Sequence, residues 1–326
     1  MTGMDILREV HDARRRIEKD TLRTPLLFSH HLSERVGGRV YLKMESEQHT
    51  GSFKARGALN KIAWLTEQGH HRLVITASSG NHGLGMARAL RLVGREGRIV
   101  IPETTVTAKA EALQGYGANV ERHGSDAFLA EIYARRRAEE EGWEYVSPYN
   151  DPQVIGGQGT IAMEIVEQLE EPVDNVFVTV GGGGLVSGIG IYLKAVRPAV
   201  RIVGCQPERS PEMALSVRSG RYTTVEPRET LSDGSAGAFE EGSITFDLCR
   251  RVVDEFLLTT EEEIADALRL VLARERKLVE GSAAVAVAAL LQQPGRWRDQ
   301  TSVVVLCGGN VSTDKLRDVL CDDRRR

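Results

Sequence analysis

At 326 residues, 41% of them hydrophobic, the chain is long enough for two modest domains that each bury a core, so no small-scaffold staple is required. Its 42 Lys plus Arg against 46 Asp plus Glu give a formal net charge of -4, which excludes the large uniform field of a nucleic-acid or anionic-membrane binder. A small-molecule partner is expected.

The N-terminal MTGMDILREVHDARRR has no apolar signal core, and no window approaches the roughly eighteen apolar residues that span a bilayer, so a cytoplasmic protein is expected. Its ARRR at 13–16, like ARRRAEEE at 134–141 and DDRRR at 322–326, has acids beside or close to it and reads as a solvated helix face or a frayed tail. The adjacent pairs His30-His31 and His70-His71 point their rings apart on a helix or a strand, so no metal site is expected there. The strand-like RVYLKMES runs on to TGSFKARGAL, residues 50–59, which brings Lys54 out at the junction. Alone, such a lysine reads as a surface charge.

Short Val/Ile-rich runs then alternate with amphipathic stretches, the pattern of a parallel sheet covered by helices. The strands expected are RLVITA (72–77), GRIVIP (97–102), NVFVTV (175–180), VRIVGCQ (200–206) and SVVVLC (302–307). GLGMARALRLVG and LVSGIGIYLKAV read as helices, whereas EYVSPYNDPQVIGGQG (144–159) is turn-rich and reads as a domain boundary. In TTEEEIADALRLVLARERKLV (259–279), Thr260 and Glu263 have capping-box spacing and Ile264, Leu268, Val271 and Leu272 mark an apolar face. Cys205, Cys249, Cys307 and Cys321 show neither CxxC pairing nor a His at zinc-finger spacing, so a reduced protein without a disulfide framework is expected.

Open parallel sheets bind ligands beyond the carboxyl ends of their strands. SSGNHG (78–83) follows one strand, GGGGL (181–185) another and CGGN (307–310) a third. A glycine run entering a helix lets backbone N–H groups approach an anion, though glycines also serve tight turns. It does not fit G-x-G-x-x-G, since Val186 or Ser187 stands where the third glycine is needed, and no Gly-Lys-Ser/Thr triplet occurs. SSGNHG offers hydroxyl, amide and imidazole groups to a carboxylate; it also reads as a capping turn served by Ser78 or Ser79, with Asn81 in an unusual backbone angle.

Taken in order, SFKARGA, SSGNHG, GGGGL and CGGN resemble the fold type II pyridoxal-phosphate enzymes, specifically the threonine/serine dehydratase and serine racemase group. TPLLFSHHLSE (24–34), GGQGTIAMEI (156–165), TLSDG (230–234) and EGSAAVAVAAL (280–290) extend the resemblance over nearly the whole chain. It implies an α/β fold, tryptophan synthase β-like, with two doubly wound domains and the cofactor in the cleft. Residues 1–49 and 150–326 would form the large domain and 50–149 the small inserted one, in a homodimer.

The same resemblance implies the roles. Lys54 forms a Schiff base with pyridoxal 5'-phosphate, Phe53 lies near its ring, and Asn81 bonds its 3-oxygen. The N–H groups of Gly181, Gly182, Gly183, Gly184 and Leu185 hold the phosphate, Gly234 and Glu280 complete the cofactor site, and Cys307 faces the pyridine nitrogen. A neutral thiol there disfavours a long-lived carbanion and suits rapid loss of a β-substituent. Ser78, Ser79, Asn81 and His82 would receive the substrate carboxylate. The reaction implied is conversion of L-threonine or L-serine to a 2-oxo acid and ammonia, with Lys54 as base at Cα and hydroxide leaving from Cβ, protonated through the cofactor phosphate.

Ser79 keeps serine racemisation open, because racemases of the group carry a second serine there while several dehydratases resemble SAGNH. Gln206 stands where racemases carry an acidic metal ligand, with Glu208 and Glu212 nearby, so no metal is expected. SAGAFEEG after TLSDG differs from the Val-Lys-containing loop of many threonine dehydratases, and the region of Phe128 and Leu129 lacks the racemase arginine. Hydroxyaspartate and phenylserine therefore stay open as substrates. The chain stops soon after CGGNVSTDKLRDVL, and no isoleucine feedback is expected. A nicotinamide-dependent oxidoreductase is the remote alternative; it leaves SFKARGA and CGGN unexplained.

Overall fold

The computed structural model describes residues 3–321; the DDRRR cluster lies outside the described residues. Ten strands occur in chain order: β1 (Leu26–Phe28), β2 (Arg39–Lys43), β3 (Val74–Ala77), β4 (Gly97–Ile101), β5 (Asn119–Arg122), β6 (Glu144–Tyr145), β7 (Asn175–Thr179), β8 (Arg201–Pro207), β9 (Glu255–Thr259) and β10 (Thr301–Val305). Six form one sheet in the order β1-β2-β10-β7-β8-β9, and four form another in the order β5-β4-β3-β6. Every pairing is parallel except β1 with β2. All five expected strands are present and the strand-like RVYLKMES holds β2; β1, β5, β6 and β9 were not expected.

The helices are α1 (Gly3–Ile17), α2 (His30–Val36), α3 (Lys54–Glu67), α4 (Asn81–Val93), α5 (Thr107–Gly115), α6 (Ala127–Glu141), α7 (Pro152–Gln168), α8 (Gly184–Val196), α9 (Glu212–Ser219), α10 (Ile244–Val252), α11 (Glu261–Leu270), α12 (Gly281–Gln292) and α13 (Thr313–Leu320). β7 and β10 are buried at every residue, as strands with helices over both faces must be. Phe177, Val285 and Val303 belong to the main core; Ile62, Val74 and Ile99 belong to a second, beside the smaller sheet.

Two local expectations are corrected. The glycines of VIGGQG lie inside α7, whose start is fixed by Pro152 and by Asp151 accepting from the N–H groups of Gln153 and Val154. They permit close helix approach: a Cβ on Gly157 would stand 2.6 Å from Gly57 Cα, and one on Gly159 3.0 Å from Gly188 O. On α11 the Thr260–Glu263 capping box is formed, and Ile264, Leu268 and Val271 are buried with Leu272 half-buried. Regular helix nevertheless stops at Leu270, a π turn spans Val271–Glu275, and Arg276 at φ 56 ends the element. The chain then reaches Glu280, whose N–H donates to Gly308 O at 3.0 Å, so periodicity gives way to a tertiary bond.

A charged cluster lies beneath the start of α3. Arg56, 1% exposed, bonds both oxygens of Glu45 at 2.8 Å and reaches Glu164 at 2.6 and 2.9 Å. Lys43 bonds Glu164 at 2.6 Å and the Thr24 carbonyl at 2.8 Å. These contacts tie α3 to β2 and α7, one turn from Lys54.

Candidate active site

Lys54 opens α3 after a sharp turn at Gly51, where φ is +70. Ser52 bridges Gly308 and the Phe53 N–H donates to Cys307 O at 3.0 Å, so the segment is fastened to the end of β10 before the helix begins. The half-buried Lys54 donates from Nζ to the Pro148 carbonyl at 2.7 Å. Desolvation lowers its pKa to about 8, with Cys307 and Glu280 acting in the opposite direction. A lysine so placed reaches its neutral, nucleophilic form far more readily than a surface lysine.

Across the cleft, GGGGL joins β7 to α8. Gly183 has φ +86, and a Cβ on Gly182 would meet the Tyr149 ring at 2.4 Å. The Val180 N–H donates to Cys205 O and the Ser187 N–H to Gly183 O. The N–H groups of Gly181, Gly182 and Gly183 have no protein acceptor among the described residues. Orphaned donors at a helix N-terminus suit a phosphate.

A polar network closes the third side. Asn81 Nδ2 donates to both Glu280 oxygens at 2.9 and 3.0 Å, and Asn81 Oδ1 accepts from Asn310 Nδ2 at 2.7 Å. Glu280 also accepts from the Asn310 N–H at 3.2 Å. Burial raises the Glu280 carboxyl to about 7, Asp233 adds to the shift, and the bonds from Asn81 and Asn310 oppose it. Desolvation first, then Glu280, pushes the Cys307 thiol well above its ordinary value, so it stays neutral.

One pocket gathers Phe53, Lys54, Asn81, Gly181, Gly182, Gly183, Gly184, Leu185, Gly234, Glu280 and Cys307, which are the cofactor-site residues expected from the sequence. Tyr149, Thr179, Ser235 and Ser282 also line it and were missed, as was Asn310. Asn310 could have been found, for it ends the CGGN motif. Tyr149 lay in a segment that reads only as turn.

Ser78, Ser79 and His82 border the Asn81 turn but do not line this pocket. Ser78 Oγ accepts from the Gly80 N–H at 3.2 Å; the N-cap of α4 is Gly80, so the serine-cap reading is replaced by a short turn. Asn81 has ordinary helical backbone, and its amide is used by Glu280 instead. His82 is buried with Nε2 3.3 Å from Val146 O, Nδ1 unpartnered, and its pKa lowered to about 3 by desolvation and Lys54. Ser79 is half-buried and has no protein hydrogen bond among the described residues.

The loop 235–242, between α9 and α10, reaches α6, which packs on the smaller sheet. Glu240 accepts from Arg135 at 2.5 Å and from Asn150 at 2.8 Å, and its N–H donates to the Tyr149 hydroxyl at 2.9 Å. This places a clasp at the cleft edge. A larger cavity of about 690 Å³ lies elsewhere, between Arg209, Glu261 and Lys315. Two of its charged groups are already engaged, Glu261 with Thr230 and Lys315 with Asp233, and the motif residues gather in the smaller cleft instead.

Residues 17–308 match the family described as pyridoxal-phosphate dependent enzyme. The chain is 41% identical over 317 residues to L-threonine ammonia-lyase of Thermotoga maritima, covering 97% of this chain and 78% of that one. The processed form of threonine deaminase isoform 2 from Solanum lycopersicum has a similar structure, with TM-score 0.92 and 32% identity, over 98% of this chain and 88% of that one. Serine racemase from Dictyostelium discoideum is also similar, with TM-score 0.86 and 33% identity, over 94% of this chain and 98% of that one.

Proposed function

Because the chain belongs to the pyridoxal-phosphate dependent enzyme family, we propose that it is an ammonia-lyase converting L-threonine, and L-serine beside it, to a 2-oxo acid and ammonia. The observation that carries the site assignment is Lys54 in one pocket with the orphaned N–H groups of GGGG and the neutral thiol of Cys307. These residues fit the cofactor. Gly181 to Leu185 would hold its phosphate, Asn81 its 3-oxygen, Phe53 its ring and Cys307 its nitrogen; Gly234 and Glu280 complete the wall.

When bound, the cofactor draws electrons from the substrate Cα and so acidifies its proton. Lys54 takes that proton at Nζ, for which the lowered pKa of about 8 suits it as a base near neutrality. Asn81 and Asn310 fix Glu280, and a carboxyl raised to about 7 stands ready to hold or release a proton beside the lysine. The Cys307 thiol brings no charge to its end of the pocket, which favours prompt elimination over a persistent carbanion. Ser78, Ser79, Asn81 and His82 form the substrate-carboxylate turn in this reading. Glu240, gripping Arg135 and Asn150, shuts the cleft against water.

The assignment is tested by 2-oxo acid release from L- and D-serine, L- and D-threonine, 3-hydroxyaspartate and phenylserine. Fastest release from L-threonine supports it; silence across the panel with cofactor bound overturns it. Serine racemisation is a second reading, favoured by the unpartnered Ser79 hydroxyl and by the racemase-like structure. Ser79→Ala is expected to spare elimination from the L-substrate and to remove any racemisation; equal loss of both would make Ser79 structural only.

We also take residues 1–49 with 150–326 as one domain around 50–149, and the protein as a cytoplasmic homodimer, in keeping with the sequence resemblance. Among the described residues no helix is long and apolar enough to cross a membrane.

A further inference from the structure

Gln206, the penultimate residue of β8, is 1% exposed, at the place where the racemase resemblance implies an acidic cation ligand. Its Oε1 accepts from the Ala214 N–H at 2.7 Å, and its Nε2 donates to the Ser210 carbonyl at 3.3 Å. One side-chain amide thus closes the 207–213 turn back onto the strand. A carboxylate here would keep the first bond and lose the second, because its other oxygen has no hydrogen to offer the Ser210 carbonyl. Two buried acceptors facing each other are costly unless a cation sits between them.

Hard divalent ions take oxygen ligands at about 2.0–2.6 Å, and Glu212, whose Oε2 accepts from Ser210 Oγ at 2.7 Å, could supply another oxygen. In this chain the Gln206 donor already satisfies the Ser210 carbonyl. The residues present therefore do not fit a resident cation.

The turn is coupled to the cofactor pocket. Ser210 Oγ accepts from the Gly237 N–H at 2.9 Å, and Gly237 has φ +109. Two residues earlier, Ser235 lines the pocket, and its carbonyl lies 3.0 Å from where a Cβ on Gly181 would stand. Ser235 is itself held by its N–H to Ser232 O at 3.0 Å. Displacing Ser210 would release Gly237 and loosen the wall behind the glycine cradle.

We infer that the Gln206 amide is a positioning residue that does the structural work of a divalent cation, setting the 210–237 contact and the cofactor cradle without metal. The inference rests on the cofactor site given under Proposed function, and its readouts need no turnover. A protein that kept its cofactor independently of cations yet released no 2-oxo acid would sink the reaction and leave this inference standing.

The experiment follows melting temperature and cofactor loss in the holoenzyme, with a chelator and then with Mg²⁺, Ca²⁺ or Mn²⁺ added. The wild type is expected to respond to neither. Gln206→Glu is expected to lose cofactor about tenfold or more faster in chelator and to recover with a divalent ion. Gln206→Met, which can neither donate nor bind a hard cation, is expected to lose cofactor faster without recovery. A wild type weakened by the chelator overturns the inference, as does a folded Gln206→Glu indifferent to cations or a Gln206→Met rescued by them. Should Gln206→Glu not fold, the wild-type and Gln206→Met outcomes still decide.

Discussion

Arg56→Ala tests the buried cluster that seats the lysine-bearing helix. The guanidinium carries four bonds of 2.6 to 2.9 Å to Glu45 and Glu164, all inside the protein. After truncation Glu164 keeps Lys43 at 2.6 Å and Arg14 at 3.6 Å. Glu45 keeps only the Thr24 hydroxyl at 2.6 Å, having lost its one salt-bridge partner among the described residues. Breaking a buried pair from one side costs about 3–5 kcal/mol, which for a chain of this size lowers Tm by roughly 4–7 °C. Adding Glu45→Gln removes the stranded charge and should restore part of the loss. The Arg56 guanidinium and then Lys43 hold Glu164 below the usual carboxylate value against desolvation, so its stabilisation is present above about pH 4.5 and lost as pH falls through the lowered value. Calorimetry of the apoprotein and holoenzyme, wild type and both variants, checks this. A Tm change under about 2 °C for Arg56→Ala, or no recovery with Glu45→Gln, would refute the reasoning.

Two more outcomes follow from the site. In the proposed role Lys54 would take up the cofactor as the neutral amine, so the reconstitution rate of the apoprotein should rise with pH and level off above about 8; a rise continuing toward 10.5 would mean that the lysine is not desolvated. Glu240→Ala removes the grip on Arg135 and Asn150, and amide exchange across residues 235–242 should accelerate by roughly tenfold. Unchanged exchange would show that the clasp does not restrain the loop.

The alternation of apolar runs and amphipathic segments carried the fold because both sheets are almost wholly parallel and their inner strands carry Val/Ile-rich runs, with β7 and β10 buried at every residue. β5 escaped because Asn119–Arg122 is an edge strand with no fully buried residue, and β6 because two residues make no period. Glycine misled in α7: within one sequence Gly156 and Gly157 read as turn, and only the positions of α1 and α3 reveal that they serve helix contact. Pocket residues were legible where a motif follows a strand, as for Gly181–Leu185 after β7 and Cys307 after β10, whereas Lys54 was singled out by the resemblance of SFKARGA. Tyr149, Ser235 and Ser282 enter the pocket from segments distant in sequence and carry no local signal. The clasp at Glu240 and the closure at Gln206 are likewise tertiary, each joining residues that only the folded chain brings together.

The measurement that bears most directly on the central claim is 2-oxo acid release from L-threonine by the cofactor-saturated wild type beside Lys54→Ala. Loss of the base is expected to lower turnover by at least about a hundredfold, with borohydride no longer fixing the cofactor to the chain. Turnover within about tenfold of the wild type would contradict Lys54 as the residue on which the chemistry depends.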